Sequence, residues 1–301
     1  MNVLLTGGTG LLGTALLRVI PAGYTVWATY FTSGRFDPSD AYHTLALDIR
    51  DRAAVDNATD EVRPDIIIHT ASIGNVDYCE THQEESWRVN VEGTRYLLEA
   101  GLRHGSRFIY TSTNAVFDGE HAPYGEEDPP NPIHFYGRTK LASERLIEAS
   151  RADATIIRPI LMYGWNTPTQ RTNLVTWLLK ELPKGQPVRL LKDVFCNPLA
   201  AFQCAEAVWR CVENRHPGCF HIAGRDRVSM YELGRTVAEV FGYAPSLLQP
   251  VSRDQLAQLV RRPADTTYRT HKMETVLGIR PLGLCEGLTR MKQERKEGNV
   301  S

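Results

Sequence analysis

The chain has 301 residues, 42% of them hydrophobic and 23% charged, and a formal net charge of -1. That supplies apolar material for one large core and a smaller one, while the absence of a basic stripe or a long like-charge run excludes nucleic-acid and membrane-surface binding as electrostatic roles. The six cysteines (Cys79, Cys196, Cys204, Cys211, Cys219 and Cys285) lack CxxC spacing, which argues against a zinc site and a disulfide framework, so no metal is expected.

The first strand is predicted at 2–6, directly after the first Met. It leaves no room for a signal peptide, and no apolar run reaches membrane-spanning length, so a cytoplasmic location is expected. Strands follow at 24–30, 43–48, 65–70, 106–112 and 154–158, and helices at 11–20, 50–62, 84–104 and 135–150. Short β-rich runs alternating with amphipathic helices predict an α/β fold with a doubly wound parallel (Rossmann) sheet. After Pro159 the rhythm changes. A Pro/Gly/Thr-rich loop from Tyr163 to Thr172 precedes a helix near 173–182, the run Pro183 to Pro187 and a short apolar stretch at 188–191. Helices near 200–214 and 229–241 flank a strand-like Cys219-Phe220-His221-Ile222. The expected division is therefore 1–160 plus about 200–225 as the dinucleotide-binding domain, with 161–199 and 226–301 as a smaller C-terminal substrate domain. The last ten residues are expected to fray.

Between the first strand and first helix lies Thr6-Gly7-Gly8-Thr9-Gly10-Leu11-Leu12-Gly13. Glycines at 7, 10 and 13 allow a tight turn, close approach of backbone N–H groups to a pyrophosphate, and close helix-on-strand packing. The fifth strand runs into Thr111-Ser112-Thr113-Asn114, presenting hydroxyls at the carboxyl edge of the sheet, where open α/β sheets bind ligands. Tyr136 and Lys140 stand four residues apart on one helix face, a pairing in which the cation lowers the phenol pKa from its reference of about 10. Tyr268 and Lys272 repeat the spacing far beyond the cofactor half. There Tyr268 is expected to pack and Lys272 to be solvated. The acids of the loop 123–132 are likewise expected to form a solvated turn.

With these motifs in register the chain resembles the extended short-chain dehydrogenase/reductase family over most of its length. The resemblance implies Thr113 as the group polarising a carbonyl, Tyr136 as proton donor and Lys140 as holder of the cofactor ribose, with hydride from the dinucleotide. It implies cofactor contacts from the glycine loop (Gly7, Thr9, Gly10, Leu11, Leu12, Gly13), from Tyr30, from Asp48 and Ile49 at the adenine, and from Thr70, Ala71 and Ser72. Further cofactor contacts are expected from Asn90, Thr111, Ser112, Arg158 and Pro159. Ser112, Thr113, Asn114 and Asn197 are expected at the substrate.

Within the family the chain looks most like the dTDP-4-dehydrorhamnose reductase branch, which implies a nucleotide-linked keto sugar as the small-molecule substrate. Two departures stand out: Asn114-Ala115 where the branch has Asp-Tyr, and Phe202-Gln203 where it has an acidic pair. A nucleotide-sugar epimerase and a regulatory subunit resembling the methionine adenosyltransferase β subunit are the alternatives, and a homodimer through the helices near 84–104 and 135–150 is implied. In the family's NAD enzymes a carboxylate stands where this chain has Tyr30. Its absence, with Ser33 and Arg35 following to hold a 2′-phosphate, makes NADP(H) the expected cofactor over NAD(H).

Overall fold

A computed structural model describes residues 1–31, 41–167, 170–256 and 259–296. Its first half runs β1 (Asn2–Thr6), α1 (Leu11–Leu17), β2 (Thr25–Tyr30), β3 (Tyr42–Ala46), α2 (Arg52–Val62), β4 (Ile66–His69), α3 (Val76–Thr81), α4 (Gln83–Trp87), α5 (Gly93–His104), β5 (Arg107–Thr111), α6 (Phe135–Ser150) and β6 (Ala154–Pro159). The second half adds β7 (Met162–Tyr163), α7 (Leu174–Glu181), β8 (Val188–Leu191), β9 (Phe195–Cys196), β10 (Leu199–Ala200), α8 (Ala201–Glu213), β11 (Gly218–Ile222), β12 (Val228–Ser229), α9 (Met230–Phe241), β13 (Leu248–Val251), α10 (His271–Thr275) and α11 (Leu284–Lys296).

Seven strands form one parallel sheet in the order β11-β6-β5-β4-β1-β2-β3. Alternation along each strand divides its side chains between two cores, as a parallel sheet covered on both faces requires. Leu5, Ile68 and Ile109 face Leu16 of α1 and Val208 and Trp209 of α8, while Leu4, Ile67 and Phe108 face Val55 of α2 and Leu97 of α5. The expected α/β doubly wound sheet is present. A third core lies outside it, where Val175 and Leu178 of α7, Leu190 of β8, Leu233 and Val237 of α9 and Leu288 of α11 pack together.

Two expectations need correcting. The stretch 84–104 is not one regular helix: residues Arg88–Glu92 form a π-helical turn between α4 and α5. The Asn90 side chain accepts from Ile73 N–H (2.8 Å) and donates to Ile73 O (3.1 Å) and Thr139 Oγ1 (3.1 Å), pinning the turn between a loop and α6. Nor do the last ten residues fray as a block, because α11 continues to Lys296. Its apolar side, Leu288 and Met291, is buried, and Lys292 Nζ donates to Val240 O at 2.6 Å. Among the described residues no helix is long and apolar enough to cross a membrane.

Candidate active site

The glycine loop is a turn that only glycine permits. Gly7 has φ +71°, and a Cβ there would lie 2.8 Å from Ala71 N and from Thr70 Oγ1. A Cβ on Gly13 would lie 2.2 Å from Gly7 O, so α1 packs directly on the loop that precedes it. Gly7, Thr9 and Gly10 line a crevice of about 320 Å³ together with Tyr30, Asp48, Ile49, Thr70, Ala71 and Ser72. The cradle that a side chain would fill fits a dinucleotide at the start of α1, while the Gly8 and Gly10 amides hold the loop itself by donating to Thr29 O and Gly7 O, both at 2.9 Å. Asp48 is held by a bidentate Arg50, which keeps its carboxyl below the usual carboxylate range. Arg50 also lies 4.7 Å from the ring centroid of the exposed Phe31, a crevice-lining aromatic that the sequence reading did not single out.

Gly10, Thr70 and Ser72 also border a larger cavity of about 540 Å³, so the crevice opens into it. Leu11, Leu12, Thr111, Ser112, Thr113, Asn114, Tyr136 and Pro159 stand on the cavity wall. Tyr136 reaches Thr113 because Gly137 lets α6 approach closely: a Cβ there would lie 2.1 Å from Ala115 O. Thr113 Oγ1 accepts from Ala115 N–H (3.2 Å) and donates to Asn114 Oδ1 (3.3 Å), and Asn114 Nδ2 donates to Thr266 Oγ1 (2.7 Å). The hydroxyls of Thr111 and Ser112 are buried without a hydrogen-bond partner among the described residues. Such groups are costly to leave unpaired, and a ligand at this wall would satisfy them.

The electrostatics differ from expectation. Burial pushes the Tyr136 phenol up to about 12, and a hydrogen bond with Thr113 offsets this only in part. Lys140 does not pull it down. Its Nζ donates to Thr111 O at 2.6 Å, 4.3 Å from the Tyr110 ring centroid, and burial pushes this ammonium down to about 7. Desolvation dominates both groups, so the phenol keeps its proton at neutral pH.

Several expected contacts are not brought to the site. Arg158 turns from the cavity and pairs with the buried Glu144 (2.7 and 2.9 Å), its Nη1 3.3 Å from His221 Nε2. Asn197 uses its whole amide on the Tyr268 backbone, donating to O and accepting from N–H, both at 3.1 Å, and does not line the cavity. Asn90, buried and spent on Ile73 and Thr139, supports the loop behind the crevice. Ser33 and Arg35 lie outside the described residues.

Of the second Tyr/Lys pair the tyrosine is buried, as expected, and the lysine is half-buried. Tyr268 packs on His221, ring centroids 3.9 Å apart, but Lys272 donates to Cys219 O at 2.6 Å and covers the Phe220 ring. The acidic turn is engaged too: Glu126 accepts from His221 N–H and Asp128 pairs with Arg269, tying the loop to the sheet edge. Gln203 bonds to the Arg280 and Leu282 backbone, and Phe202 lies under Arg290, so this departure from the branch pattern supports the C-terminal segment.

Sequence reasoning missed the opposite wall. His134, Phe195, Met230, Arg262 and Thr266 line the cavity from elements distant in sequence. Arg262 Nη2 pairs with Asp77 at 2.9 Å, and its buried Nη1 has no partner among the described residues. Only His134, immediately before α6, carried a local signal, as a helix cap.

The RmlD substrate binding domain model matches residues 1–296. The chain belongs to that family. It is 30% identical over 296 residues to the spore coat polysaccharide biosynthesis protein SpsK of Bacillus subtilis, covering 98% of each. It is 28% identical to the methionine adenosyltransferase 2 subunit beta of Danio rerio, covering 92% of this chain and 85% of that one. Identity to the dTDP-4-dehydrorhamnose reductase of Aggregatibacter actinomycetemcomitans is 26%, over 93% and 94% of the chains. In fold it matches the Bacillus anthracis dTDP-4-dehydrorhamnose reductase solved in complex with NADP, at TM-score 0.85, 23% identity and coverage of 97% and 99%.

Proposed function

We propose that the chain is an NADP(H)-dependent oxidoreductase that reduces a carbonyl on a nucleotide-linked keto sugar. One observation carries the reading: Thr113 and Tyr136 share a wall with the unpartnered Thr111 and Ser112 hydroxyls where the glycine-loop crevice opens into a cavity large enough for a second ligand. Bound NADPH supplies the hydride. Thr113 hydrogen-bonds the carbonyl oxygen, which its weak 3.3 Å bond to Asn114 leaves it free to do. Tyr136, neutral at working pH, delivers the proton to that oxygen. Lys140 fixes the Thr111 carbonyl and with it the strand end carrying these hydroxyls, and holds the cofactor ribose. The residues 1–160 with about 200–225 bind the dinucleotide, and 161–199 with 226–301 close over the substrate, Arg262 offering a cation to its phosphates. Ser33 and Arg35 take the 2′-phosphate. The protein is cytoplasmic and a homodimer through α4, α5 and α6, where Trp87 and Leu102 are exposed.

The test is to follow NADPH absorbance with purified protein against a broad panel of nucleotide-linked keto sugars and simple carbonyls. Oxidation of NADPH with a keto sugar, weaker with NADH and evened out by Arg35→Ala, is expected. The similarity to the methionine adenosyltransferase β subunit supports a second reading, a dinucleotide-binding regulatory subunit. No turnover across the panel, together with a stable complex with a partner enzyme, would establish it instead.

A further inference from the structure

His134 caps the catalytic helix: its Nδ1 accepts the Gly137 N–H at 3.1 Å. A cap needs only an acceptor, and serine, asparagine or aspartate supplies one with a smaller side chain. Histidine brings a second nitrogen. Because Nδ1 accepts, the neutral ring carries its proton on Nε2, and that N–H has no partner among the described residues although the residue is 98% buried (2% exposed). Burial pushes the imidazole down to about 4, so the tautomer persists at working pH.

The neighbours do not take up this donor. Glu80 accepts from Phe135 N–H at 2.9 Å and Asp77 is paired with Arg262 at 2.9 Å. The ring lines the cavity that also holds Tyr136 and Thr113. Its centroid lies 6.2 Å from that of Tyr136, with the planes 18° apart, a separation comparable to a sugar ring with its hydroxyls.

We propose that His134 is a specificity-determining residue whose Nε2–H donates to a hydroxyl of the bound keto sugar, one or two carbons from the carbonyl that Tyr136 protonates. The inference rests on the keto-sugar reading above. It makes the cap of the catalytic helix also a reader of substrate hydroxylation. A ligand hydroxyl there would take up a cavity-facing donor that no side chain or backbone group among the described residues takes up.

The test pairs a variant with substrate analogues. His134→Asn keeps an acceptor for Gly137 N–H, but its amide stops short of the Nε2 position. With NADPH saturating, kcat/KM is measured for a nucleotide-linked 4-keto hexose and for its 2-deoxy and 3-deoxy forms. The expected loss is roughly tenfold on the parent sugar, the effect of one hydrogen bond, and nearly none on the analogue lacking the hydroxyl that is read. Equal losses on all three sugars, or no loss on any, would overturn the inference while leaving the keto-sugar reading intact. A wild-type protein that reduces none of them overturns both. NADPH affinity and thermal midpoint check the fold of His134→Asn, and His134→Ser, a second capping variant, carries the same comparison if Asn fails to fold.

Discussion

The two walls of the cavity are built on different principles. The side with the glycine loop comes from neighbouring strand ends of one parallel sheet, so its groups fall at fixed places after β1, β4 and β5. The opposite side is assembled from Phe195, Met230, Arg262 and Thr266, which lie on a two-residue strand, a helix start and an irregular strap. Periodicity and motif locate the first kind of wall. They are silent on the second, because no local pattern specifies which distant loops meet. The lesson is that the wall carrying Thr113 and Tyr136 is written locally in this chain and the wall facing it is not.

The largest expected effect tests whether chemistry belongs wholly to the first wall. Tyr136→Phe should lower kcat by about a thousandfold or more, general acid catalysis plus orientation being lost together. NADPH affinity, read by fluorescence titration, should stay within a few-fold. Tyr268→Phe removes a buried hydroxyl that has no partner among the described residues and should leave turnover and stability nearly intact. Comparable losses from both would end the distinction drawn between the two Tyr-x-x-x-Lys pairs.

Next is the glycine cradle. Gly13→Ala places a methyl 2.2 Å from Gly7 O, which neither backbone can vacate without moving α1 off the loop. Dinucleotide affinity should fall at least tenfold, consistent with overpacking of roughly 1–3 kcal/mol. Titration with NADPH reads this directly, and an unchanged affinity would show that the crevice is not the dinucleotide site.

The boundary between the walls has a pH signature. Lys140 is pushed down to about 7 and Tyr136 up to about 12. Below pH 7 the ammonium is charged and the phenol protonated. As pH rises through about 7 the cation is lost while the phenol keeps its proton. The kcat/KM for NADPH, which reports the free enzyme, should therefore fall above pH 7. In Lys140→Arg the remaining activity should lose that limb, because a guanidinium stays charged. A profile flat to pH 9 in the wild type would mean that Lys140 keeps its proton despite burial.

The outer wall should respond in substrate binding alone. Arg262→Ala is expected to raise KM for the nucleotide-linked substrate roughly tenfold or more, the worth of a charge-assisted hydrogen bond, with NADPH affinity within twofold. Steady-state kinetics with each ligand varied in turn separates the two. An equal loss of NADPH affinity would show that the walls are not independent.

How much was legible follows the same division. The strand ends, the glycine loop and α6 were readable because alternation, glycine spacing and a Tyr/Lys pair are local. The π-helical turn at Arg88–Glu92 was not, since the Asn90 side chain that pins it bonds to Ile73 and Thr139 from outside the helix. Arg158 looked like a cofactor contact by position, but its partner Glu144, fourteen residues earlier on α6, redirects it into a buried ion pair. The assignment of Ser33 and Arg35 to a 2′-phosphate rests on sequence alone.

Asn197 gives the smallest kinetic effect and the sharpest test of that division. The resemblance puts it at the substrate, yet both ends of its amide are used by the Tyr268 backbone within the packed cluster of Tyr268, His221 and Phe117. Asn197→Ala would leave a buried N–H and a buried C=O without partners, a destabilisation of about 1–3 kcal/mol for each. Asn197→Asp should cost more, because a carboxylate can still accept from Tyr268 N–H but meets the Tyr268 carbonyl with no proton to give. Urea midpoints should therefore fall in the order wild type, Asn197→Ala, Asn197→Asp. KM and kcat, measured where each variant is folded, should stay within about twofold of the wild type, the range expected when no substrate hydrogen bond is lost. A rise in KM of tenfold with an unmoved urea midpoint would return Asn197 to the substrate and make the motif a better guide than the hydrogen bonds that now occupy its side chain.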